Sequence, residues 1–119
     1  MKTMNKQLTT LFVRMSGLTI CSEDSLHEFD VTRVGGAFMV HRIDAVTDAT
    51  LNTWVIGEIR TTKISANRRF ALIKLLPGGG MATVSTHGCL VEALNALNNT
   101  LEPYGICRRL TMEDLARLS

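Results

Sequence analysis

Between Glu58 and Glu92 the chain has no acidic residue, yet this stretch carries Arg60, Lys63, Arg68, Arg69 and Lys74, a local charge of +5. Guanidinium and ammonium groups gathered on one segment can neutralise the phosphates or carboxylates of a polyanion, and guanidinium does so with two parallel donors. Residues 54–64 (WVIGEIRTTKI) and 70–76 (FALIKLL) are the strongest strand candidates, and Asn67 is a natural turn former between them. A hairpin built from these runs has Arg68 and Arg69 at its tip and Arg60, Lys63 and Lys74 along its arms. These five residues are the candidate polyanion-binding set. Only Trp54 and Phe70 flank them as stacking surfaces for unpaired bases. The same charges also suit a solvated ribbon whose lysine and arginine side chains discourage edge-to-edge association.

A second constellation lies in GGGMATVSTHGC, residues 78–89. Ser85, Thr86 and His87 fall where a following helix would begin, and the free amides and dipole of a helix start favour an anion. They form the second candidate anion site. The spacing is that of neither a P-loop nor a dinucleotide fingerprint.

His87, Cys89 and Cys107, completed by Cys21 or His41, have the donor chemistry for zinc but not the spacing of a recognised site. Cys89 near a helix start has the chemistry of an activated thiolate, without a recognised nucleophile sequence around it. Glu58 between Ile56 and Ile59 is the carboxylate expected to be partly buried, paired with Arg60 or an arginine of a neighbouring strand. The expectation is no catalytic residue, no metal and no cofactor.

The 119 residues are 45% hydrophobic and 20% charged, which suits one folded domain over residues 1–119 and excludes disorder or a multidomain enzyme. The net charge of +2 hides the basic segment, because residues 1–58 carry 5 basic and 7 acidic side chains and residues 92–119 carry 3 and 4. Three cysteines without paired spacing do not make a disulfide framework, so a reducing cytoplasm is expected. Lys2 and Lys6 precede an apolar run ending at Cys21, but Arg14 interrupts it and Ile20 is too bulky for a cleavage site. No apolar stretch approaches the roughly 20 residues that span a bilayer.

Alternation predicts strands at residues 8–15 and 18–21, on either side of Gly35-Gly36 (29–34 and 37–46), and at 81–85. Ser22-Glu23-Asp24 reads as the start of one or two helical turns through Phe29, and 47–52 as a polar connection able to hold another. Pro77-Gly78-Gly79-Gly80 stops a strand. From Cys89 the period lengthens: Leu90, Leu94, Leu97 and Leu101 line one face of a helix over about 88–101, with Glu92, Asn95, Asn98 and Asn99 away from it and Thr86 as cap. Pro103 and Gly105 end it, and Thr111 opens a short C-terminal helix.

The fold class is thus α+β, a mainly antiparallel sheet built from hairpins with one amphipathic helix. Residues 37–43 and 70–76 are apolar on both faces, so a second layer or a homodimer is expected. The expected function is that of a non-enzymatic cytoplasmic binding or regulatory protein engaging nucleic acid or an acidic partner surface through the basic hairpin. The alternative is a protein-interaction module or inhibitor, for example of a host defence or regulatory complex, acting as a homodimer through apolar surface. A Cys/His-dependent enzyme ranks third.

Overall fold

Two glycines set the first long hairpin. Gly35 has φ +61°, a left-handed value that a side chain resists, and with Gly36 it closes a two-residue loop in which Val34 pairs with Ala37. The computed structural model describes residues 17–59 and 69–118. The strand expected at 8–15 lies outside them.

Among the described residues six strands follow in chain order: β1 (Leu18–Cys21), β2 (His27–Val34), β3 (Ala37–Asp44), β4 (Thr50–Ile59), β5 (Arg69–Leu75) and β6 (Met81–His87). Each pairs antiparallel with its chain neighbours, so spatial order repeats sequence order. Helix α1 (Leu90–Leu101), a 3-10 turn (Glu102–Tyr104) and helix α2 (Met112–Ala116) complete an α+β fold.

One face of the sheet takes the helices. Phe29, Val31, Val40, Trp54, Ile56 and Leu72 pack there against Ala93, Leu94, Leu97 and Leu101 of α1, joined by Ile106, Leu110, Leu115 and Leu118. The leucine stripe of α1 is therefore core. At roughly 1.5–3 kcal/mol for each large side chain buried, this cluster supplies most of what opposes chain entropy. On the far face Met39, Val55 and Ile73 stand in one cross-strand row and are half-buried.

Several local expectations change. Ser22 to Leu26 forms a turn instead of helix: the Asp24 carboxylate accepts the Leu26 N–H and the Ser22 hydroxyl, Ser22 Oγ accepts the His27 N–H, and Ser25 sits at φ +61°. Short polar side chains that cap helices bond the backbone of turns equally well. The 47–52 connection is shorter than expected, because β4 already begins at Thr50. One turn is closed there by Asp48 N–H donating to Asp44 O, and the Asp44 carboxylate takes the Val46 and Thr47 amides. The cap of α1 is Cys89, not Thr86, which is the sixth residue of β6; Cys89 makes no side-chain cap bond, and Glu92 Oε2 accepts the Gly88 N–H at 3.3 Å.

Asn98 is 2% exposed instead of facing water. Its carboxamide donates to Leu110 O (2.8 Å) and accepts from Leu110 N–H (2.7 Å), fastening the segment after the helix to the helix itself.

Thr111 opens α2 as expected, with a reciprocal capping box to Asp114. The Arg108 guanidinium grips the same carboxylate at 2.7 and 3.0 Å and, ahead of the Thr111 bonds, holds Asp114 down to about 2. That contribution is present above the ordinary value of 3.8 and is lost as pH falls towards 2. Arg108 is half-exposed, so solvent keeps it to the order of 1 kcal/mol.

Candidate functional site

The basic set of five divides. β4 and β5 pair as far as Ile59 opposite Arg69, so the nine residues 60–68 join the two strands at that end. Arg60, Lys63 and Arg68 lie within this connection and outside the described residues. Arg69 is exposed at the ribbon's end, on the far face of the sheet, with Nη2 3.5 Å from Thr86 Oγ1. Lys74 shares neither end nor face with it. Five residues along a strand span roughly 16 Å and reverse the side-chain direction. Lys74 thus stands on the helix side, in register with Trp54 and Ala82.

Ser85, Thr86 and His87 belong to β6 and do not converge on a helix start. Ser85 Oγ and His87 Nε2 are 2.7 Å apart on the helix side, whereas Thr86 points the other way towards Arg69. A hydroxyl bonded to an imidazole is half of a nucleophile relay, but no carboxylate among the described hydrogen bonds orients the ring. Glu58 is exposed, opposite Phe70, contrary to the partly buried position expected for it. Alternation puts its side chain on the helix face, one residue before the strand ends at Ile59.

Cys21, Cys89 and Cys107 are exposed free thiols. Cys107 N–H donates to Cys21 O at 3.1 Å, bringing those two backbones together, while Cys89 begins α1. Among the described residues no three His, Cys, Asp or Glu side chains gather as a metal site.

Two polar groupings were invisible in the sequence. On the helix side Arg42 donates from Nη1 to Asn52 Oδ1 (2.6 Å) and from Nη2 to His27 Nε2 (3.3 Å), and its guanidinium lies 4.8 Å from the Tyr104 ring centre. Tyr104 in turn meets Trp54 edge-on at 5.2 Å. Because His27 Nε2 accepts, its proton sits on Nδ1, which is buried, lacks a hydrogen-bond partner and lies 3.8 Å from Asp24 Oδ1. The cluster ties the 3-10 turn to the strand ends. A cation over an aromatic ring in such a setting contributes about 1 kcal/mol.

On the far face Thr19, Asp30, His41 and Thr53 form one row across four strands. Thr19 Oγ1 donates to Asp30 Oδ1, and His41 Nδ1 bonds Thr53 Oγ1, both at 2.9 Å. Asp30 and Thr53 are buried. Cross-strand register is a tertiary property, and no spacing along the chain announces it.

Burial pushes the His41 imidazole below the ordinary 6.5, and the Asp30 charge opposes this. As pH falls below 6.5 the unfolded chain takes up a proton that folded His41 declines, so stability falls until the folded value is passed. His41→Gln is expected to flatten the stability profile between pH 7 and 5, measured as urea midpoints. An unchanged slope would show that other groups govern it.

No family model matches the chain, and neither a curated protein nor a solved structure matches it. None of the described helices is long and apolar enough to cross a membrane.

Proposed function

We propose that the protein is a non-enzymatic cytoplasmic binding protein that engages nucleic acid or an acidic partner surface through Arg60, Lys63, Arg68 and Arg69. The observation that carries this reading is the end of the β4–β5 ladder at Ile59 and Arg69, which makes one acid-free connection carry three of these cations and leaves the fourth exposed beside it. Cations held at the end of a ribbon can meet a polyanion while the opposite surface of the sheet stays packed. Their contribution is electrostatic, so binding releases counterions and weakens with salt.

The test is a pull-down from the native host, run with and without nuclease, followed by titration of the recovered partner across salt. Capture lost to nuclease supports nucleic acid, and capture that survives nuclease but fails at high salt supports an acidic protein. Affinity independent of salt would sink both.

A second reading, a homodimer or inhibitor working through apolar surface, draws on the half-buried row Met39, Val55 and Ile73. Its surface cannot be the leucine stripe of α1, since Leu94 and Leu97 are core. A dimeric mass that Met39→Lys converts to a folded monomer favours this reading over the first.

A further inference from the structure

We propose that the cleft between the start of β4 and the end of β5 binds a small organic anion, a carboxylate on a short apolar body, with Lys74 as its counter-charge. The cleft has a volume of about 390 Å³ and is formed where Thr50–Thr53 face Lys74–Pro77. That is the size of a site for a small molecule, and a mainly apolar wall with few polar groups is the usual composition of such sites.

Lys74 is the only charged residue among the described residues of the lining. It is half-buried and makes no hydrogen bond or ion pair with a described residue. Beside it stands a second donor. Lys74 is in register with Trp54, and Asn52 lies two residues earlier on β4, so Asn52 and Lys74 are diagonal neighbours on one face, within reach of long side chains. The Asn52 carboxamide is already oriented, because its Oδ1 accepts from Arg42 at 2.6 Å; its Nδ2 has no partner among the described residues. An ammonium and a carboxamide N–H can therefore converge on one carboxylate.

The walls select the rest of the ligand. The β3–β4 register slips between Arg42 and Ile43, leaving Leu51 as the extra residue of a bulge, and such bulges redirect side chains. Leu51 and Leu76 line the cleft with Pro77 and are each 42% exposed, so an apolar body would cover surface that water now meets. One cation and neutral walls match a single negative charge better than a phosphate dianion. The proposal is independent of the polyanion reading, since Lys74 and Arg69 occupy opposite faces.

The experiment is an amide NMR titration of the full chain with hexanoate, with hexanol as its uncharged counterpart and with inorganic phosphate. Saturable shifts are expected from hexanoate at residues 50–53 and 74–76, with hexanol at least about tenfold weaker, the loss of one charge-assisted contact. Lys74→Met is expected to weaken hexanoate by about tenfold and leave hexanol unchanged. Asn52→Asp, which keeps an acceptor for Arg42 but repels a carboxylate, is expected to do the same and serves if the first variant does not fold. Hexanoate shifts that do not saturate, hexanol binding equally well, phosphate binding in its place, or folded variants that bind hexanoate unchanged would each overturn the proposal.

Discussion

Asn98→Ala is expected to destabilise the protein by about 3 kcal/mol. Its carboxamide is buried and bonds both the N–H and the C=O of Leu110, itself buried. Truncation leaves both backbone groups without water and without partner, at roughly 1–3 kcal/mol each. It also unfastens the segment that brings Leu110, Leu115 and Leu118 to the core. Asn98→Asp retains the acceptor for the Leu110 N–H but sets an oxygen against the Leu110 carbonyl, so it fails to rescue. Asn95, exposed on the same helix, supplies the control, and its replacement by alanine is expected within about 0.5 kcal/mol of wild type. Urea unfolding measures all three, and a cost below about 1 kcal/mol for Asn98→Ala would mean the segment is held by its leucines alone.

The second large effect is on binding. Arg68→Glu with Arg69→Glu changes the charge at the ribbon's end by four units, and affinity for the polyanionic partner is expected to fall by about a hundredfold or more at low salt. If the partner is duplex DNA, each lost phosphate contact also lowers the slope of log affinity against log salt by about 0.9. Stability should hardly move: Arg69 is exposed, and its one described side-chain hydrogen bond, to Thr86, is at the 3.5 Å limit. Binding retained by the folded double variant would remove the basic connection from consideration.

What the sequence revealed was what local chemistry controls. Gly35 needed positive φ, the leucines of α1 repeated at helical spacing, and Thr111 with Asp114 formed a capping box within four residues. What it concealed depended on partners distant along the chain. Asn98 has the outward-facing look of a polar helix residue until Leu110 is placed beside it. Ser22 and Asp24 are equally good at starting a helix and closing a turn, and the choice was made by His27 entering β2. The candidate site was half legible: the charge of residues 60–69 is plain in the sequence, but strand alternation separates Lys74 from it, and Arg42 over Tyr104 has no signature at all.

Because each strand pairs with the one made just before it, the sheet can assemble in the order of synthesis, by closing short loops. The helices come last. A nascent chain that has emerged only as far as His87 holds every described strand yet lacks α1, so Val31, Val40, Trp54 and Ile56 lack the helix that covers them. During translation the sheet is thus a sticky intermediate whose cover is the helical segment after His87, and premature termination before that segment should yield aggregate instead of a smaller folded protein.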